Sequence, residues 1–251
     1  MFQLLREWPP GYGGVERVAH ELAEAWVSQG RSVTVFALRS KPLWLLDIPL
    51  LPVRYQRVGL STWSLGRLLL PLPSRALLRL LTSRQPLHVH LPCPTSLALG
   101  LFARLIRPRR TVSLHWHAFL QPSPTLVGRL FRAYQWLAEQ LLPCFSFIIT
   151  TSPVLRDELV LAGAQPASVR FLPCSLPASF EQWAVPVASV HLESPRAYGL
   201  RLISIGRLDS YKRVDWVIKS LAFTHTKMPQ GVGVLRLDVV LSLIHISEPT
   251  R

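Results

Sequence analysis

The sequence predicts an α/β protein built on a doubly wound parallel sheet, Rossmann-like, and three observations carry that prediction. Short, nearly unbroken apolar runs alternate with stretches of helical periodicity along most of the chain. The first run leads through a glycine-rich turn into an amphipathic helix and a β-branched strand, the order of a parallel βαβ unit. Hydrophobic residues make up 49% of the 251 residues, enough to bury a sizeable core.

Phe2–Leu5 reads as the first strand, and Arg6 to Gly14 as a turn. Val15, Val18, Ala19, Leu22 and Trp26 then share one helical face, and Gly30 ends the helix. Ser32–Leu38 is a strand. The alternation resumes with strands over Leu87–Leu91, Thr111–Leu114, Phe145–Thr150 and Val169–Leu172. Helices over Thr95–Ile106, Leu126–Leu142 and Pro153–Ala162 separate them. Between Lys41 and Arg84 prolines break the pattern, and Trp44, Trp63 and several leucines mix with arginines. The first expectation there is packing helices on the sheet edge with solvated arginines. The alternative is a basic, Trp- and Leu-rich surface in peripheral contact with an anionic membrane.

A domain over residues 1–175 follows from this, then a linker over 176–199 interrupted by Pro177, Pro186 and Pro195. A strand over Leu200–Ile205, a helix from Val214 to Phe223 and a strand over Leu235–Leu241 begin a second Rossmann-like domain, which the sequence predicts to break off early. Residues 241–251 resemble a translated sequencing adapter and are expected to be a non-native tail.

The net charge is +14, from 24 Arg and 4 Lys against 14 acidic residues. Such a charge favours anionic partners, among them nucleotide phosphates, acidic headgroups and nucleic acid. The arginines are scattered and no stacking platform accompanies them, so nucleic acid is the weakest of the three. Cys93, Cys144 and Cys174 lack any CxxC spacing, which argues against disulfides and zinc and for buried free thiols. No apolar run is long enough to span a bilayer, and the first residues lack the order of a secretion signal. A cytoplasmic protein, peripheral at most at the inner face of the membrane, is expected.

Gly13 and Gly14 stand where a βα loop meets a helix N-terminus, whose free N–H groups and dipole suit a phosphate. Arg207 and Lys212 flank the loop after the first strand of the second domain. There a guanidinium fork and an ammonium can converge on one anion. His115 and His117 follow a strand at the carboxyl edge of the sheet, where open α/β sheets bind ligands. With no third ligand or carboxylate evident beside them, no metal site is expected. His88 and His90 share a face of the preceding strand and read as packing or hydrogen-bonding residues.

Pro10 to Val18, Gly30 to Val35, Val89 to Pro94, Ser113 to Ala118, Ile149 to Pro153 and Gly206 to Lys212 resemble, in order and approximate spacing, motifs of the family 4 glycosyltransferases. The resemblance implies a two-domain GT-B fold, with a nucleotide-sugar donor in the cleft and a glycan or lipid-linked acceptor on the first domain. It implies retention of anomeric configuration and no cofactor or metal. It makes Gly13 and Gly14 the loop near the donor diphosphate and His117 the catalytic histidine contacting the transferred sugar. Arg207 and Lys212 become the pair that neutralises the leaving diphosphate. Two departures stand out. Arg213 occupies a position usually held by glycine, and the carboxylate pair of the second domain is absent, so the chain alone is expected to be inactive. A hexose transferase of bacterial polysaccharide synthesis fits best. Another GT-B enzyme such as a nucleotide-sugar epimerase, or less well a basic nucleic-acid-binding protein, remains as an alternative.

Overall fold

The computed structural model describes residues 1–7, 14–39, 52–66, 68–120, 125–174, 201–206, 212–227 and 236–241. The chain divides into two compact units, Met1–Pro177 and Ala178–Arg251. The first runs β1 (Phe2–Glu7), α1 (Gly14–Ser28), β2 (Val33–Arg39), β3 (Tyr55–Gly59), β4 (Thr62–Leu65), β5 (Leu68–Pro71) and α2 (Arg75–Thr82). It continues with β6 (Leu87–Leu91), α3 (Pro94–Ile106), β7 (Val112–Trp116), α4 (Leu126–Gln140), β8 (Phe147–Thr150), α5 (Pro153–Leu161) and β9 (Val169–Phe171). Seven strands form one sheet in the order β3-β2-β1-β6-β7-β8-β9, every pairing parallel. This is the doubly wound sheet that the strand–helix alternation predicts.

Strand alternation sends neighbouring residues to opposite faces, and the two faces bury different partners. Leu4, Phe36, Val89, Leu114 and Ile148 join Leu80 of α2, Leu99 and Ala103 of α3 and Leu159 of α5 in the larger cluster. Leu5, Val33, Val35 and Ala37 turn the other way and meet Ala19 and Ala23 of α1, with Trp26 and Val27 packed alongside. Small residues at 19 and 23 let α1 lie close to the sheet. Gly30 ends its turn at φ 79°, a left-handed conformation that costs glycine little. A second close approach is at Gly100 of α3, where an added Cβ would stand 3.0 Å from Val89 Cγ2 and 3.4 Å from Phe145 Cε1.

The helices begin where local chemistry satisfies their first N–H groups. The side chains of Ser74, Thr125 and Ser152 accept from the backbone N–H of Leu77, Gly128 and Leu155 respectively. Pro94 and Pro153 stand in first turns, where a missing N–H costs nothing.

Two expectations need correction. Between Lys41 and Arg84 the described residues hold an edge strand, β3, and the antiparallel hairpin β4–β5, with a single helix, α2, rather than a set of packing helices. Short strands next to prolines carry too little periodicity to announce themselves. Trp44 and its neighbours lie outside the described residues. Of the three thiols only Cys93 is buried, while Cys144 and Cys174 are exposed. Cys144 closes the short turn Leu142–Cys144, in which Leu142 alone is buried.

Of the second unit the described elements are β10 (Arg201–Gly206), α6 (Val214–Lys227) and β11 (Arg236–Leu241). The strands pair in parallel, Arg201 with Arg236 through Gly206 with Leu241. The tail beyond Leu241 and the linker over 176–199 lie outside the described residues.

Arg110 ties α2 to the sheet. It is 3% exposed, and its Nε donates to Gln85 O at 2.7 Å while Nη1 donates to Leu80 O at 2.6 Å. These carbonyls end or follow α2, where the helix dipole favours a cation. Burial pushes the guanidinium down to about 10, so it stays charged at neutral pH. Arg110→Ala should therefore cost about 2–4 kcal/mol, read by urea unfolding followed by circular dichroism. A loss under about 0.5 kcal/mol contradicts this role. Gly100→Val should cost about 1–3 kcal/mol by overpacking, against the helix propensity that valine gains over glycine.

Candidate functional site

The sheet changes winding direction between β1 and β6. From β1 the chain moves outward through β2 and β3, then returns to the other side of β1 with β6. In open α/β sheets the carboxyl side of such a switch point is the usual ligand position. The sequence-predicted residues of the first unit fall at this edge. Gly14 is the first residue of α1, and a Cβ added to it would meet nothing within 4 Å. Among the described residues no packing neighbour claims the space beside its backbone. Gly13 lies outside the described residues. On the same helix Glu16 has its carboxyl raised, chiefly by burial, with the Glu7 charge adding to it and its own N–H and Arg6 opposing.

His117 follows β7 directly and is held on three sides. Its N–H donates to Leu91 O at 3.3 Å, and its carbonyl accepts from Thr151 Oγ1 at 3.4 Å. Its Nε2 shares a hydrogen bond with His90 Nδ1 at 3.0 Å. The neighbouring loop is fixed from α4: Leu120 N–H donates to Gln135 Oε1 at 2.7 Å, and Cys93 N–H to the Tyr134 hydroxyl at 3.1 Å. Trp116 adds an edge contact with Phe119 at 5.4 Å.

Behind His117 stands a row of imidazoles. His90 and His115 are register partners across β6 and β7, and His88 lies opposite Ser113. The rings of His115 and His117 stack at 4.1 Å with 13° between planes, and those of His90 and His117 at 5.3 Å with 20°. His88 turns nearly perpendicular to His90, bonds Ser113 Oγ through Nδ1 at 2.8 Å, and approaches His115 Nδ1 with Nε2 at 3.3 Å. Burial pushes His115 down to about 4. Burial and the His115 charge push His117 to about 3. His88 and His90 fall well below the ordinary value, by burial first and neighbouring histidines second. All four rings are therefore neutral at pH 7. His117 makes no described hydrogen bond through Nδ1, so that atom can serve a hydroxyl or a phosphate-bearing ligand as donor or acceptor.

The sequence reading found no third possible ligand beside His115 and His117; the structure brings other histidines next to His115. Nitrogens of His88, His90 and His115 lie within 4.8 Å of one another. The signal was in the sequence as two His-x-His pairs on consecutive parallel strands. Each pair shares a face by strand period, and pairing in register brings the two together.

In the second unit Lys212 is exposed and immediately precedes Arg213 and α6, while Arg207 lies outside the described residues. Arg213 adopts φ 50°, a left-handed conformation. That explains why the resemblance expects glycine there. Its guanidinium pairs with Asp215 at 3.2 Å and lies 4.0 Å over the Trp216 ring.

A family model described as a glycosyl transferase 4-like domain matches residues 13–175, from the glycine loop through the last strand of the sheet. The chain belongs to this family. No curated protein sequence matches the chain. Among solved structures, Alr3699/HepE of Anabaena in complex with UDP superposes with TM-score 0.59 at 16% identity, over 98% of this chain and 63% of that one. The same protein in complex with UDP-glucose gives TM-score 0.57 at 16% identity, over 96% and 60%. The likeness is one of fold. The chain spans less than two thirds of the length of those structures.

Within this glycosyl transferase 4-like domain, Ser152 caps α5 one residue after the Thr151 that holds the His117 carbonyl. Ser152→Ala should destabilise the unit by about 1 kcal/mol and raise amide exchange at Leu155. Unchanged exchange there would contradict the cap.

Proposed function

We propose that the protein containing this chain transfers a hexose from a nucleotide sugar to a glycan or lipid-linked acceptor, with retention of anomeric configuration. The observation that carries the reading is the family match over residues 13–175. It coincides with a sheet whose switch-point edge gathers Gly14 and a rigidly held, neutral His117. HepE, which shares the fold, is known in complex with UDP and with UDP-glucose. A uridine diphosphate donor is accordingly the first to try.

Each residue has a distinct part in this reading. Gly13 and Gly14 admit the diphosphate to the N-terminus of α1, whose N–H groups and dipole favour it. His117 offers Nδ1 to a hydroxyl of the transferred sugar. A neutral ring can donate or accept there without adding charge. Arg207 and Lys212, on the second unit, neutralise the diphosphate as the glycosidic bond breaks, when its charge is greatest. The donor sugar is a substrate, and the transfer step calls on no cofactor.

The acceptor side fits a lipid-linked substrate met at an anionic membrane surface. Trp63 and Leu65 on the hairpin β4–β5 are each 57% exposed, as expected of residues that meet an interface. Among the described residues no helix is long and apolar enough to cross a membrane.

The test is a sugar-transfer assay on the full-length gene product with UDP-hexoses and a lipid or glycan acceptor. Lys212→Ala should lower kcat about 100-fold or more, the scale of losing one charge-stabilising donor. His117→Ala should lower kcat/KM about 10-fold or more, the loss of one hydrogen bond made to the transferred sugar. Unchanged rates in both variants would sink the residue assignments. Epimerised donor formed without any acceptor would replace transfer by epimerisation.

A further inference from the structure

We propose that His88, His90 and His115 form a buried site for a divalent d-block cation of the zinc, nickel and copper class, a structural ion inside the sheet. The argument for this site does not rest on the transfer reaction proposed above, although His90 also bonds His117.

The geometry has three parts. One nitrogen from each ring lies within 4.8 Å of the other two. His88 Nε2 and His115 Nδ1 stand 3.3 Å apart. Two nitrogens bound at the usual zinc distance in a tetrahedral site are separated by about 3.3–3.4 Å, so this pair already has the spacing of two ligands. His90, the register partner of His115, completes the set from the neighbouring position on β6.

Proton bookkeeping around the cluster favours a cation. When Ser113 Oγ gives its proton to Leu87 O, at 3.5 Å, His88 Nδ1–H donates to Ser113 at 2.8 Å and His88 Nε2 is left with a lone pair for a cation. This is the outer hydrogen bond that a metal-ligating histidine ordinarily makes. His90 has the equivalent arrangement, with Nδ1 on His117 Nε2 and its Nε2 left over. In the metal-free cluster His90 Nε2 and His115 Nε2 are buried with no hydrogen-bond partner, whichever tautomers are chosen. Each stranded nitrogen is unfavourable. A cation ligated by His90 through Nε2 removes that penalty outright, and His115 can ligate through either nitrogen.

Ligand chemistry narrows the metal. Three imidazoles with no oxygen donor suit zinc, nickel or copper, and are poor ligands for magnesium or calcium. Because the nitrogens are buried, the ion enters as the chain folds, in the manner of structural zinc.

The experiment loads the whole chain with Zn2+ during refolding, removes excess by gel filtration and measures metal by mass spectrometry. About one ion per chain is expected. His88→Gln, His90→Gln and His115→Gln should each lower the retained metal about 10-fold or more. His20→Gln and His225→Gln, which alter histidines on α1 and α6, should leave it unchanged. Replacement by Co2+ should give the intense visible absorption of a tetrahedral site. Absence of stoichiometric metal, or equal retention in the three cluster variants, overturns the site. Should a variant fail to fold, the unmodified chain still decides. Its unfolding midpoint must be higher with Zn2+ than after chelation, and equal midpoints overturn the proposal.

Discussion

The parallel register of β6 against β7 is the constraint on which the rest of the site depends. It sets His90 beside His115 and His88 beside Ser113, on the face where β1 and β2 present Leu5, Val33, Val35 and Ala37. Burial disfavours the charged imidazole in that position, and the rings form a stacked, partly hydrogen-bonded row in which His117 is the outermost member. The consequence for function is positional. A residue just beyond a strand would ordinarily share the mobility of its loop. His117 is instead fixed through its backbone to Leu91 and Thr151 and through its ring to His90.

The two faces of the sheet divide the labour. One is an apolar face covered by α2, α3 and α5, with Phe2, Phe36 and Trp116 set among its aliphatic residues, and it supplies most of the core. The other is smaller in hydrophobic content, with Ala19 and Ala23 of α1 over β1 and β2 and a polar band beyond them. Gln3, opposite His88 across β1 and β6, belongs to that band and is itself fully buried. A sheet that only had to fold would have no reason to place Gln3, His88, His90, Ser113 and His115 together in its interior, because buried polar groups stabilise only when satisfied. Of these, His90 and His115 lie toward the carboxyl ends of their strands, while Gln3, His88 and Ser113 stand near the amino ends.

Much of the fold was legible in the sequence because its signals were local. Apolar β-branched strands and the helical face of Val15 to Trp26 each announce an element within a dozen residues. The stretch from Lys41 to Arg84 was not legible. A five-residue edge strand and a hairpin of two four-residue strands leave no periodicity long enough to read, and Trp63 and Leu65 look like core residues until their exposure is seen. In the site, Gly14 and His117 were visible from strand–loop order. The histidine row was not, since it depends on which strands pair, a non-local fact. Arg213 was noticed as a departure from glycine, and its left-handed backbone gives the reason.

The central claim is that the four histidines form a neutral, interlocked row that holds His117 in one orientation. The most direct measurement is nitrogen-15 NMR of the imidazole rings in the chelator-treated chain at pH 7. The account predicts neutral tautomers at His88, His90, His115 and His117, with His117 shifting when His90→Ala removes its partner. Imidazolium signals from these residues at pH 7, or a His117 ring indifferent to His90→Ala, would contradict it.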